Sequence, residues 1–157
     1  MSRWPIKSYL IALFWIPLAI TLASISNRDN YCTRVIDGDT IVVTIGGQEE
    51  KVRLIGVDTP ETVHPRKPVE YFGKEASEFT RRMVEGKGIR LEYDWQTRDK
   101  YGRLLAYVYI EDGTFLNAEI IKQGYGFAYT RYPFKHLDDF RQYEKEAREH
   151  NRGLWGR

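Results

Sequence analysis

Cysteine is almost absent. Cys32 is the only one in 157 residues, so no intrachain disulfide can form and the fold must rest on its core. Histidine is scarce too, at three, and no His/Cys spacing suggests a zinc site. No repeat or low-complexity tract occurs. A surplus of positive charge is nearly missing: the formal net charge is +2, and Arg3 and Lys7, within the first 26 residues, account for all of it. A chain that grips polyanions by charge alone carries a marked basic excess, and this one does not. A bound metal would supply positive charge in another way, consuming carboxylates as it did so. What is present (42% hydrophobic, 14% aromatic, 29% charged) is the composition of a folded globular chain. The length suits one domain plus a short appendage, and a domain of this size hides roughly two-thirds of its unfolded surface.

The appendage is N-terminal. Residues 1–8 (MSRWPIKS) are basic and lack acids, and residues 9–25 (YLIALFWIPLAITLASI) are uncharged and almost wholly apolar. Small residues follow at Ala23, Ser24 and Ser26 before the polar NRDN. This is the secretory signal pattern. The apolar run lies at the short edge of the transmembrane range, so an uncleaved anchor is the second reading. Pro17 would kink a helix there, and no polar face recurs at helical spacing, which disfavours a buried helix of the fold. Residues 1–26 are therefore expected to be a signal peptide or membrane anchor. Either would place a domain over 31–157 outside the cytoplasm, periplasmic or secreted or held at the membrane through 9–25.

The rest alternates between two periods. YCTRVI (31–36) and DTIVVTI (39–45) are strand-like runs around Asp37-Gly38, a hairpin signal, and Gly46-Gly47 turns the chain into EKVRLIGV (50–57). Pro60, Pro65 and Pro68 punctuate a loop that carries His64, Arg66 and Lys67. Over 70–85, Phe72, Ala76, Phe79 and Met83 fall on one face of a helix. Two further strands, 88–95 and 103–110, flank the polar loop QTRDKYG. Helices are expected around 115–123 and 136–150, stopped by Gly124 and Gly153. The order βββ-α-ββ-α-α supplies five short antiparallel strands, the number for a small OB-fold barrel, a β-barrel with helices in the α+β class.

Chemistry concentrates at strand ends. Asp39 opens the second strand and Asp58 closes the third, so the turn at 46–47 carries both to one rim of the barrel. Two carboxylates with the Thr59 carbonyl make a hard, all-oxygen donor set suited to calcium. Arg53 shares a face with Ile55 and Val57, and an inward guanidinium requires an anion. Arg103 opens the fifth strand after Tyr101-Gly102. A guanidinium fork matches phosphate in two-point geometry and stays charged at any working pH. Glu61, held by the turn at Pro60, is placed to take a proton from water. Tyr101, Tyr129 and Tyr132 are candidates to stack bases.

Four segments stand in order: V-I-D-G-D-T (35–40), R-L-I-G-V-D-T-P-E-T (53–62), F-G-K-E-A-S-E-F-T (72–80) and D-K-Y-G-R-L-L-A-Y (99–107). Together they resemble the staphylococcal nuclease (thermonuclease) family over about residues 34–155. The resemblance implies an OB-fold barrel, and a monomer is expected. It also implies calcium-dependent endonucleolytic hydrolysis of DNA and RNA to 3′-phosphate ends. Asp39, Asp58 and the Thr59 carbonyl match the family's calcium ligands, Arg53 and Arg103 its phosphate-binding arginines, and Glu61 its general base. Lys100 and Tyr101 match groups that contact the nucleotide. One departure stands out. The family often has two tyrosines separated by one residue before a Lys-Pro, whereas here A-Y-T-R-Y-P (128–133) puts Arg131 at the second tyrosine and shifts Tyr132 by one. The competing expectations are a non-catalytic OB-fold module that binds nucleic acid and, on residues 9–25 alone, a tethered surface protein.

The leader carries its own test. Mass spectrometry of the native protein should find an N-terminus between about 24 and 28 if a signal peptide is removed there. A full-length protein recovered free in the cytoplasm would exclude both the signal and the anchor.

Overall fold

A computed structural model describes residues 30–62 and 68–156. The expected leader, and His64, Pro65, Arg66 and Lys67 of the proline-punctuated loop, lie outside them. β-branched runs broken at glycines set the first half. Strands β1 (Asn30–Asp37), β2 (Thr40–Ile45) and β3 (Gln48–Leu54) form an antiparallel meander, with Ile41, Val43, Val52 and Leu54 buried. Two register irregularities, at Cys32/Arg34 and Val35/Asp37, interrupt the pairing of β1 with β2, a device that bends a strand and strengthens its twist.

The third expected strand is in fact two. β3 ends at Leu54, the chain turns through Ile55-Gly56, and β4 (Val57–Asp58) leaves in a new direction. Gly56 adopts φ +73°, which a residue with a Cβ reaches only with strain. A Cβ there would also stand 2.6 Å from the Phe134 ring. Helix α1 (Gly73–Val84) follows, then β5 (Ile89–Glu92), β6 (Leu104–Ile110), α2 (Leu116–Lys122), β7 (Phe127–Ala128), α3 (Leu137–Glu149) and a short 3-10 turn at Gly153–Trp155. The fifth strand of the barrel thus begins one residue later than expected. The fourth ends at Glu92, which leaves Tyr93, Asp94 and Trp95 to the loop. No helix among the described residues is long and apolar enough to cross a membrane.

The main sheet runs β1-β2-β3-β6-β5. The expectation of all-antiparallel strands fails at one seam: β3 and β6 are parallel, with Arg53 opposite Leu105. The chain leaves β3, crosses by way of α1 and descends β5, so the β5–β6 hairpin brings β6 back in the sense of β3. The sheet then curls until its first and last strands meet. Tyr31 bridges Gly88, the Cys32 amide donates to the Lys87 carbonyl (3.0 Å), and the Gly86 amide donates to Cys32 O (3.0 Å). The core fills the curl and the space beneath α1, α2 and α3, with Val84, Val108, Leu116, Ile120 and Phe140 all buried. Asn117, fully buried on α2, is the polar tie: its Nδ2 donates to Ile55 O (2.9 Å) and Ala106 O (3.2 Å), and its Oδ1 accepts from the Val108 amide (2.9 Å). It therefore fixes the β3–β4 kink to β6.

Gly56→Ala should destabilise the fold by about 2–4 kcal/mol, combining left-handed strain with a clash against the Phe134 ring. Urea unfolding monitored by circular dichroism would measure it. A change below about 0.5 kcal/mol, the range of an inert surface substitution, would mean that the kink does not need glycine.

Candidate active site

The kink aims a carbonyl and a carboxylate back at the strand that precedes it. Arg53 stands opposite Thr40 in the β2–β3 register, and the Leu54 amide donates to Asp39 O (2.9 Å), so Asp39 lies beside Arg53 across the ladder. Past the kink, Asp58 returns to the same place. The Arg53 Nη2 meets Asp39 Oδ2 at 3.1 Å and Asp58 Oδ1 at 3.0 Å. Its Nη1 donates to Val57 O (2.6 Å) and Leu54 O (3.2 Å). The guanidinium is largely buried, which is tolerable because both ends of its fork are satisfied. Asp39 is held in turn by Thr59, whose amide (3.0 Å) and Oγ1 (3.2 Å) donate to Oδ2, and by Thr40 Oγ1 (2.9 Å) on Oδ1. Gly38 completes the pinch: a Cβ there would meet Thr59 Oγ1 at 2.7 Å.

Two carboxylates that contact one nitrogen have oxygens no more than about 6 Å apart. With nearby carbonyls they form an all-oxygen donor set, the chemistry of a hard divalent cation. Among the described residues no cluster of three or more His, Cys, Asp or Glu side chains gathers for a metal. Any ion here would thus draw on the pair Asp39 and Asp58, on carbonyl oxygen and on water. Partial burial and the like charges of Asp39 and Glu70 raise the Asp58 carboxyl above its ordinary range, against the pull of Arg53.

Arg53 and Asp58 line a cleft of about 530 Å³. The β5–β6 loop and the segment after β7 complete the lining with Arg103, Lys100, Tyr101, Tyr129 and Tyr132, and Arg103 comes two residues before Leu105, the partner of Arg53 across the β3–β6 seam. Asp99 builds the loop part of that lining. Its Oδ1 accepts from the amides of Tyr101 (2.9 Å) and Arg103 (3.0 Å), and its Oδ2 from Arg103 Nε and Nη2, each at 2.7 Å. Burial alone would raise the Asp99 carboxyl, but these donors prevail and hold it below its usual value. Tyr101 is exposed, with the Lys100 ammonium 5.0 Å and the Arg103 guanidinium 5.5 Å from its ring centre. Tyr129 is placed by its backbone amide, which donates to Gly56 O (2.9 Å), and its ring lies 6.2 Å from that of Tyr132. Arg131 sits over Tyr132 at 5.7 Å.

Glu61 is set apart from the cleft lining. Its Oε1 accepts from the Thr62 amide (3.0 Å), its own amide donates to Glu70 Oε2 (3.1 Å), and its carboxyl shares a hydrogen bond with Asp37. Asp37 is buried and also accepts from Thr62 Oγ1 (2.8 Å), Ser77 Oγ (3.1 Å) and the Gly38 amide (2.8 Å). Burial, with the Glu61 contact and the charge of Asp39, pushes its pKa up to about 6. Glu61 thus leans on Asp37 of the Asp37-Gly38-Asp39 turn, close in the chain to Asp58 but not among the residues that line the cleft.

A family model described as "Staphylococcal nuclease homologue" matches residues 51–157. The thermonuclease of Staphylococcus hyicus is 44% identical over 132 residues, 83% of this chain and 78% of that protein. The thermonuclease of Staphylococcus intermedius is 48% identical over 125 residues, 79% of this chain and 74% of that protein. This chain belongs to the staphylococcal nuclease family. The endonuclease YncB of Bacillus subtilis (strain 168) is a more distant-length relative, 42% identical over 127 residues that make up 60% of it. Within this member of the family, the matched residues include Arg53, Asp58, Glu61 and Arg103, while Asp39 precedes them. The structure brings Asp39, Thr59, Arg53 and Asp58 into direct contact and sets Arg103, Lys100 and the three tyrosines around the cleft beside them. Trp95 is a cleft residue that sequence patterning assigned to the end of a strand. An indole beside a long polar loop was the available signal.

Asp99→Asn isolates the 99–103 turn. The native pKa of Asp99 is depressed, so the stability it confers is complete above the unfolded carboxylate value near pH 4 and is lost as pH falls through the native value. The variant should be less stable than the parent by about 1–2 kcal/mol at neutral pH, with the gap closing below about pH 4. Urea melts across that range would measure it. A pH-independent gap would show that charge at Asp99 is not what holds the loop.

Proposed function

We propose that the chain is a calcium-dependent endonuclease that hydrolyses phosphodiester bonds of DNA and RNA and leaves 3′-phosphate ends. Family membership supports a nuclease. The observation that carries the finer reading is the convergence of Asp39 and Asp58 on Arg53 in a cleft that Arg103 also lines. Bound between Asp39, Asp58 and the Thr59 carbonyl, calcium would supply positive charge beside the reacting phosphate. Everything else falls to the chain. Arg53 and Arg103, from neighbouring strands that line the same cleft, neutralise the non-bridging oxygens, the kind of positioning and charge stabilisation on which phosphoester hydrolysis chiefly depends. To do so Arg53 exchanges a carboxylate contact for a phosphate one and keeps its carbonyl ties through Nη1. Glu61 takes a proton from the attacking water, whose oxygen bonds to phosphorus. The bond from phosphorus to the 5′ oxygen breaks, that oxygen is protonated from solvent, and the phosphate stays on the 3′ side. Lys100 and Tyr101 hold the adjoining nucleotide, and Tyr129 and Tyr132 offer faces to bases. The basic, apolar leader further supports export, with calcium met outside the cytoplasm.

Plasmid and RNA cleavage by the purified domain tests the scheme. A chelator should abolish cutting without unfolding the domain, because the core is apolar and the two carboxylates keep Arg53 and Thr59 as partners. Arg103→Ala should cost at least ~10²-fold in turnover, the scale of one lost transition-state charge contact. Glu61→Gln should cost ~10²–10⁴-fold, as general bases do. Asp39→Asn should weaken calcium binding and recover in part at high calcium. Magnesium should substitute poorly because it demands tighter octahedral geometry and holds its waters more firmly. Full activity in chelator, or parent rates from both Arg103→Ala and Glu61→Gln, would overturn the scheme.

A further inference from the structure

Trp95 is 66% exposed in the loop between β5 and β6, a costly place for an indole that serves no contact. It is also tied down. Its backbone amide donates to Asp94 Oδ1 (2.8 Å), and its ring Nε1 donates across the cleft rim to Pro133 O (3.0 Å). Asp94 is fixed in turn, since its Oδ2 accepts from Tyr107 Oη (2.5 Å) and the Lys135 amide (2.9 Å). Bonds at the ring edge leave the faces of the indole presented and its orientation already set. An aromatic ordered before binding loses little entropy when a partner arrives.

The tie also decides what lies alongside. Pro133 directly follows Tyr132, itself 56% exposed, so the bond to Pro133 O seats Trp95 beside Tyr132, and both line the cleft that contains Arg53 and Arg103. The acids nearby are already engaged, Asp94 with Tyr107 and Lys135 and Asp99 with Arg103, while cations stand at the neighbouring rings: Arg131 over Tyr132 and Lys100 over Tyr101. A flat apolar face beside cations fits an unpaired nucleobase on a phosphate backbone, and it fits an apolar protein helix poorly.

We propose that Trp95 is a base-stacking subsite at the outer rim of the cleft. It takes an unpaired base of the strand whose phosphate the arginines hold, at least one nucleotide away from the bond that is cut. The subsite rests on the nuclease reading above. It extends the tyrosine shelf through Tyr132 on the side where Arg131 stands.

Steady-state cleavage by the full chain tests it with two substrates, a single-stranded oligonucleotide of about a dozen residues and a dinucleotide too short to reach the rim. Trp95→Ala should raise KM on the longer substrate about tenfold, as loss of one base stack implies, with kcat within about twofold and the dinucleotide unaffected. Trp95→Phe, which keeps a ring but loses the Nε1 donor, should stay within about threefold of the parent. Trp95→Leu keeps apolar bulk for the loop without a π face and should match Trp95→Ala, so it serves if the alanine variant does not fold. A parent that cuts both substrates while Trp95→Ala and Trp95→Leu leave KM unchanged overturns the subsite alone. Equal losses from Phe and Ala also overturn it, because the role would then be the bond to Pro133. A parent that cuts neither substrate removes the nuclease reading, and the subsite with it.

Discussion

One guanidinium joins the site to the barrel. Arg53 uses Nη2 for Asp39 and Asp58 and Nη1 for two carbonyls, so the start of β2, the end of β3 and all of β4 meet at a single side chain. A largely buried charge of this kind is stable only while its partners remain, and losing one typically costs several kcal/mol. The kink at Gly56 follows from that need, because only a sharp reversal after Leu54 returns Val57 O and Asp58 to the residue the chain has just passed. The pairing leaves two carboxylates against one guanidinium, a local excess of negative charge where the cleft opens. A cation is the natural complement to it.

The remainder of the cleft is assembled from polar ties more than from apolar packing. Asp99 folds the 99–103 turn around its two oxygens, and Asp94 fixes the loop before it through Tyr107 and Lys135. Asn117 anchors the kink from behind. Asp94 and Asp99 sit in the loop between β5 and β6 and Asn117 sits buried on α2, and in each place a hydrogen-bonded carboxylate or amide imposes one geometry on backbone that packing alone would leave free. Side chains that face the cleft are therefore presented on stiff supports, although most of them lie outside regular structure.

The sequence made this arrangement legible to different degrees. Period-two alternation and glycine turns place β1 to β3, and the Phe72–Met83 stripe places α1, because each pattern is local. Ala76 of that stripe is buried, and Phe79 and Met83 pack against the core. The break in 50–57 stayed hidden: Ile55-Gly56 reads as strand continuation, and only the long-range demands of Arg53 and Phe134 make it a turn. The parallel β3–β6 seam stayed hidden too, since relative strand direction depends on how α1 carries the chain across and no residue encodes it locally. In the site, the acids and arginines could be named from residue type and strand-end position. That Asp39 and Asp58 share one nitrogen of Arg53, or that Glu61 leans on Asp37, depends on register and loop path. Trp95 escaped notice because a tryptophan after three strand-like residues looks like core.

The closure of the barrel has a consequence for the lone sulfhydryl. Cys32 lies at the seam between β1 and the turn before β5, fully buried, and burial with the nearby Glu85 charge pushes its thiol up to about 12. The thiolate that oxidants and alkylating agents attack is thus nearly unpopulated while the seam is shut. Modification of this chain is then limited by how often β1 parts from the 86–88 turn, and the rate at which a thiol reagent consumes Cys32 measures that opening. The one thiol, which contributes no cross-link, serves as a clock for the barrel's breathing.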